Sequence, residues 1–309
     1  MANEYITTQD MVSDALNLSP YEVSNVRDAA PVLAALPTQQ ASDGDFHRYA
    51  AYTEAPVVAF RDENAGRDFT HSTDEIINLA LQILDWSFAA DKAVADRWRQ
   101  GGAPNWLARE GMRMLQSAMF TWEQSMFYGP GTGGAPGAFT GLVDLLDDLS
   151  DNMVIGAGGS GADAQASAYL LRANPAEICS IYKGNSFAMG ETVVQNMLDG
   201  SGKNYPAYYT PACSWVACQQ GGAYSAARIA NIEPGVAELT DDLIYEALSL
   251  FPAGMGPNML VMNRAAQESL RGTRTATNVT GAPAPIVDAV SGVRVITTDA
   301  LLSTEAVVA

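Results

Sequence analysis

The chain has 309 residues, of which 48% are hydrophobic and 17% charged. That is enough apolar content for one large domain or two modest ones, and it excludes wholesale disorder. The 35 acidic side chains outnumber 17 basic ones, for a formal charge of −18, which argues against a nucleic-acid surface of clustered Lys and Arg and against binding to anionic membranes.

No apolar run approaches the ~18 residues of a membrane span. Met1-Ala2-Asn3-Glu4 lacks the apolar core of a signal peptide, so the protein is expected to be made and kept in a cytoplasm. Cys179, Cys213 and Cys218 are an odd number without Cys-x-x-Cys spacing. They read as buried reduced thiols, not as a zinc site or a disulfide framework.

Residues 1–40 read as an arm: a short amphipathic stretch at Met11, Val12, Ala15 and Leu16 is followed by Pro20, Pro31 and Pro37. From Asp45 to His71, aromatic and β-branched residues flank the turn signal Asp62-Glu-Asn-Ala-Gly66, which predicts a long β-hairpin. It carries both histidines, Arg48, Arg61 and Arg67, and no lysine. A lone hairpin is marginal in water, so it should pack on something else.

Ser72-Thr-Asp-Glu75 reads as a capping box. The stripe Ile76, Leu79, Ala80, Ile83, Leu84, Phe88 then predicts a helix over 73–100, ended by Gly101-Gly102. A second helix is predicted from Asn105 to Tyr128, with Met112, Met119 and Met126 as core residues. Short strands are expected at Met153–Ile155, Ala168–Arg172, Ile178–Tyr182, Thr210–Cys218 and Ala226–Ile232. A helix capped by Thr240, a strand at Asn258–Asn263 and a helix at Arg264–Arg271 follow Pro234-Gly235. Pro285–Asp288 and Gly292–Thr297 close the chain as strands.

Gly156-Ala-Gly-Gly-Ser-Gly161 matches a dinucleotide-binding spacing. Too few apolar residues follow for a crossover helix, so a plain loop is the better reading. His47 and His71 would be the only histidines for nucleophilic catalysis, and both are expected on the surface of the hairpin. Asp144, Asp147, Asp148 and Asp151 lack the order of a cation loop and read as a solvated turn. No catalytic, cofactor or metal residue is assigned, and no cofactor is expected. A folded body with a coreless hairpin and arm suits a subunit that interlocks with its own copies.

Several strings carry a resemblance. They are Trp86-Ser-Phe-Ala-Ala-Asp-Lys-Ala-Val-Ala-Asp96, Phe127-Tyr-Gly129, Phe139-Thr-Gly-Leu142, Ser225-Ala-Ala-Arg-Ile-Ala-Asn231 and Thr298-Asp-Ala-Leu-Leu-Ser-Thr-Glu305. With the order of elements, the chain resembles major capsid proteins of tailed bacteriophages, in the epsilon-fifteen-like short-tailed subgroup. The resemblance implies an α+β class protein of the Hong Kong 97-type capsid fold. It implies an N-terminal arm (1–40), an extended loop (41–71), a peripheral domain (72–233 with 285–309) carrying a long spine helix at 73–100, and an axial domain (234–284).

The implied function is a major capsid protein that self-assembles, through hexameric and pentameric capsomers, into the icosahedral shell around a double-stranded DNA genome. The implied partners are a separate scaffolding protein, a portal and a cement or decoration protein, with no membrane and no sequence-specific DNA contact. Some relatives keep a scaffolding segment before the arm. Only about 40 residues precede the hairpin here, hence the expectation of a separate scaffold. Arg48, Arg61 and Arg67 are expected as inter-subunit contacts, at least one of them meeting a carboxylate of a neighbouring subunit. Some relatives also weld subunits through a loop lysine; with none between Ala41 and His71, a non-covalent shell is expected. The alternatives are an encapsulin-like nanocompartment shell and a nucleotide-dependent enzyme using the Gly156–Gly161 loop.

Overall fold

The structure, a computed structural model, describes residues 30–98, 101–184, 187–280 and 282–309. The first 29 residues of the expected arm lie outside them. In chain order the elements are α1 (Pro31–Ala35), β1 (Thr38–Gln40), β2 (Phe46–Glu54), β3 (Thr73–Ala80), β4 (Gln82–Asp85), β5 (Phe88–Asp91), α2 (Lys92–Ala95), α3 (Gly102–Tyr128), α4 (Leu142–Leu145), β6 (Val154–Gly156), β7 (Ala166–Leu171) and β8 (Cys179–Tyr182). Then come β9 (Val193–Leu198), β10 (Asn204–Thr210), β11 (Cys213–Gln219), β12 (Ala226–Ile232), α5 (Asp241–Ser249), β13 (Met259–Met262), α6 (Arg264–Ala276), β14 (Ala289–Val290) and β15 (Val293–Thr297).

The core is built on a six-stranded mixed sheet of order β14-β15-β13-β7-β12-β6. Every residue of β7, β12 and β13 is buried. Strands covered on both faces need near-continuous apolar runs, which is what Ala-Ala-Arg-Ile-Ala-Asn-Ile supplies, apart from two polar residues treated below. Helix α5 packs on β12 and α6 on β7. Thr240 accepts from Leu243 N at 3.2 Å and Asn263 from Ala266 N at 2.8 Å, capping the two helices as N-cap side chains do.

Strand β13 is paired on one side to β7 and on the other to β15. The segment 234–284 therefore has no sheet of its own, and the boundary expected at Pro234 does not separate two sheets. A second sheet runs β1-β8-β11-β4, a third β5-β10-β9, and β2 and β3 form a two-stranded ribbon.

The long helix is α3, with 27 residues and a length of ~40 Å at 1.5 Å per residue. Its C-terminal end (Trp122, Met126, Phe127, Tyr128) enters the main core. Its N-terminal end packs Ala103 and Trp106 against Phe88, Ala95 and Trp98. Met112 faces solvent, so only part of the expected methionine stripe is core.

The helix expected over 73–100 does not form. Residues 73–91 are three strands, and among the described residues of the span only Lys92–Ala95 is helical. Gln82, Leu84, Trp86, Phe88 and Ala90 turn inward while Ile83, Asp85, Ser87, Ala89 and Asp91 are the more exposed set. That is a period of two, favoured by the aromatic residues. Ser72–Glu75 is accordingly no capping box, for Thr73, Asp74 and Glu75 pair with Glu54, Tyr52 and Ala51.

The end of the arm is also corrected. Val32 and Leu36 are buried in the main core, and β1 runs parallel to β8. Residues 30–40 thus belong to the body.

Candidate assembly surfaces

The β2–β3 ribbon is fixed at its root. His47 Nε2 lies 2.8 Å from Gln219 Oε1, and the Tyr49 hydroxyl donates to Gln220 O at 2.6 Å. His47 is 6% exposed, which corrects its expected surface position: the inward face of β2 lies over the end of β11. His71 is exposed.

Among the described residues, nothing forms a second layer on the ribbon beyond its root. Residues 55–72 form its tip, tied by Thr70 Oγ1 to Val57 N and O at 2.9 and 3.0 Å. Val57, Val58, Phe60 and Phe69 stand exposed there, Phe60 fully and Phe69 at 85%. Each such side chain gains about 1.5–3 kcal/mol when it is covered, and the chain's own core does not cover them.

The three hairpin arginines are exposed and locally engaged. Arg48 pairs with Asp43 at 3.4 Å, Arg61 donates to Ala65 O at 3.2 Å, and Arg67 lies 6.0 Å from the Phe69 ring centre. Asp62, Glu63 and Asp68 alternate with Arg61 and Arg67, so the tip carries mixed charge and is no basic patch.

Opposite in character is a buried polar knot that gathers the strings singled out in the sequence. Arg228 and Glu305 pair at 3.0 Å, with side chains 3% and 6% exposed. Glu305 also accepts from Ser167 Oγ at 2.5 Å and Tyr128 OH at 2.6 Å, while Arg228 donates to Leu146 O at 2.7 Å. Burial, reinforced by the Glu305 charge, pushes the Tyr128 hydroxyl pKa well above its ordinary value. The Asn231 side chain holds Val308, donating from Nδ2 to Val308 O at 2.9 Å and accepting at Oδ1 from Val308 N at 2.8 Å.

Glu123 on α3 is fully buried. It accepts from Val32 N (2.9 Å), Leu33 N (3.0 Å) and Thr298 Oγ1 (2.5 Å). Desolvation raises its pKa, although these three donors pull it down. It ties α1, the long helix and the closing segment together. Gly129 (φ 57°) and Gly141 approach so closely that a Cβ on Gly141 would lie 2.3 Å from Gly129 N.

The glycine loop has its anion already. Ser160 N and Gly161 N donate to Glu233 Oε2 at 3.0 and 2.9 Å, with Gln165 Nε2 at 3.2 Å. These bonds hold the Glu233 carboxyl below its usual pKa. The backbone donors that a pyrophosphate would need are spent on a side chain from the end of β12. The segment after Gly161 leads into β7 without a helix.

The acidic segment also serves local structure, with Asp144 accepting from Gly141 N and Asp148 from Ser150 N. Among the described residues no cluster of His, Cys, Asp and Glu has metal-site geometry. Cys179 and Cys218 are buried thiols, whereas Cys213 is exposed, against expectation. Burial raises the Cys179 pKa to about 11. Lys92 begins α2, with Nζ 2.5 Å from Asp96 and 3.0 Å from Tyr208 OH. A cleft between α3 and the third sheet is lined by Phe88, Leu107, Met189 and Tyr208, with no carboxylate, histidine or cysteine in its lining.

A long helix, a central mixed sheet with helices against it and a projecting two-stranded ribbon define the class: a Hong Kong 97-type capsid fold. The epsilon15 bacteriophage structure has this fold, with a TM-score of 0.69 at 20% identity over 100% of this chain and 99% of that one. The capsid of bacteriophage JBD30 has a TM-score of 0.52 at 10% identity, covering 94% and 97%. The JBD30 capsid decorated with minor capsid protein trimers has a TM-score of 0.56 at 10% identity, covering 96% and 99%. No curated protein matches the sequence.

The family model of the major capsid protein GP7 matches residues 23–309, and the chain belongs to that family. It is a shell-forming phage capsid protein, and the virion is its place. The family match selects the phage shell over the nanocompartment alternative. The sequence reading reaches the fold and class; it misses the buried Arg228–Glu305 pair and the buried Glu123. The one signal was Arg228, the single charge in the string Ser225–Asn231.

Proposed function

We propose that the exposed tip of the β2–β3 ribbon is this subunit's reach onto neighbouring copies, and that its apolar residues with Arg48, Arg61 and Arg67 bind them within hexameric and pentameric capsomers. The observation that carries this is Phe60 and Phe69 standing uncovered on a ribbon whose root is locked by His47 and Tyr49. A held ribbon loses little entropy on docking, and exposed aromatic residues are strong interface anchors. The arginines exchange or share their local carboxylates with those of a neighbour, each contact worth about 0–1 kcal/mol and repeated around the shell.

Under this reading the shell encloses the DNA without sequence-specific contact. It assembles in the host cytoplasm with a separate scaffolding protein and a portal, and a cement or decoration protein reinforces it. Its work is structural, with no catalytic step. The peripheral part is taken as 72–233 with 285–309 and the axial part as 234–284. One amendment is needed: because β13 is flanked by β7 and β15, the central sheet is shared between the two parts.

The test is a variant with Phe60→Ser and Phe69→Ser, expressed with its scaffold. The expected result is a folded subunit with an unchanged melting temperature that fails to form closed shells. Normal shells from this variant would overturn the reading.

A further inference from the structure

The edge strand β9 is the second place where the chain is unfinished. In the sheet β5-β10-β9 it pairs with β10 from Val193↔Tyr209 to Leu198↔Asn204, and no strand of the described residues lies on its other side. It is exposed on both faces, with Val193, Val194 and Leu198 at 46%, 53% and 62%. An open edge of backbone donors and acceptors invites pairing with another chain, and natural proteins guard such edges with charge, proline or brevity. The other edges here are guarded. The ribbon strands carry Arg48 and Glu54 on β2 and Asp74 and Glu75 on β3. The edge strands β1, β4, β5, β6 and β14 have only two to four residues.

Strand β9 has six residues, Val-Val-Gln-Asn-Met-Leu, without a charge or proline. This lack of a guard singles it out in a chain of net charge −18. Copies of so acidic a chain repel one another, and close approach is cheapest where neither carries charge. A two-fold contact sets a patch against itself, so a charge-free strand can meet its own copy without like-charge cost.

We propose that β9 pairs antiparallel with β9 of a second copy, joining two three-stranded sheets into one across a two-fold contact between subunits. The inference rests on the reading of the chain as a self-assembling subunit, and it adds a contact independent of the ribbon tip. Six residues at ~3.3 Å each give a seam of ~20 Å.

The test uses assembled particles of the full chain with Cys213→Ser, which removes the exposed thiol and leaves Cys179 and Cys218 buried. Single cysteines replace Val193, Val194, Gln195, Asn196 and Met197 in turn. The particles are treated with a mild thiol oxidant and run in denaturing detergent without reductant. In antiparallel self-pairing, moving the cysteine by one residue separates the two thiols by two residue steps, ~6.6 Å. A covalent dimer should therefore peak at one position or two adjacent ones, about tenfold over positions two residues away. Well-formed shells with no dimer, or with equal dimer at every position, would overturn the proposal. That includes the case in which another segment or another protein covers the edge.

A second variant, Val194→Lys, should lower shell yield about tenfold while the subunit stays folded, and Val194→Thr should retain it. Normal shells from Val194→Lys would also overturn the pairing. Failure of the parent chain to form any shell would instead overturn the functional reading itself.

Discussion

The central sheet and the β2–β3 ribbon solve the same problem in opposite ways. In the sheet, β7, β12 and β13 bury every residue, and the charges that share that interior are matched: Arg228 with Glu305, and Glu123 with three donors. In the ribbon, Phe60 and Phe69 lie in solvent and each arginine settles for a nearby oxygen, carboxylate or ring. The sheet matches its buried charges within one chain, whereas the ribbon tip, on the proposed reading, is covered only against another. Stability of the subunit and stability of the shell are therefore written into different residues, and mutations should separate them.

The sharpest separation is at Glu305. Glu305→Ala leaves Arg228 buried without its counter-charge and strips Tyr128 and Ser167 of their acceptor. Breaking a buried pair from one side costs about 3–5 kcal/mol, so urea unfolding of the subunit should shift by that amount. A change below about 0.5 kcal/mol, the scale of surface substitutions, would mean that the knot is not what holds the sheet to the closing segment. The ribbon should behave in the reverse way. Reversing Arg48, Arg61 and Arg67 to Glu should leave subunit unfolding within about 0.5 kcal/mol per site, yet lower the yield of shells on sedimentation.

A smaller effect concerns pH. Glu123 has its pKa raised by burial, so between the ordinary glutamate value and that raised value the folded chain holds a proton that the unfolded chain gives up. This contribution to stability is complete below the window and is lost as pH rises through it. Glu123→Gln keeps an acceptor for Val32 N and Leu33 N and does not ionise. Its stability at pH 7 relative to pH 5 should fall less than that of the parent chain in parallel melts. The smallest expected change is none at all: mature particles boiled in detergent should give one band near 32.7 kDa. Lys92 is engaged by Asp96 and Tyr208 in the body and is absent from the ribbon. A ladder of covalent multimers would contradict a non-covalent shell.

Where one physical signal dominates, the sequence is legible. Ala226–Ile232 is an apolar run bounded by turn residues, and Thr240 with two aspartates behind it is a helix start; both stand where the pattern puts them. Residues 73–91 carry two signals at once. Ile76, Leu79, Ala80 and Ile83 are spaced as on a helix, while Gln82 to Ala90 alternate as in a strand, and tertiary pairing with β2, β10 and β11 decides for the strand. The error placed an extra helix at 73–100 ahead of the one expected at 105–128, which does form as 102–128, and cut the ribbon short at His71, when its second strand runs to Ala80. His47 misled for a related reason: alternation puts it on one face of β2, but only the fold shows β11 lying under that face. The knot and the Glu123 cluster were out of reach because their partners are far apart in the chain.

The central claim is that this chain completes itself only against its own copies, with the ribbon as its reach. Electron microscopy of particles assembled from the full chain tests it most directly. The expected result is closed shells in which each ribbon tip, with Phe60 and Phe69, is covered by a neighbouring subunit. A monodisperse monomer under all assembly conditions, or shells whose ribbon tips stand free in solvent, would contradict it.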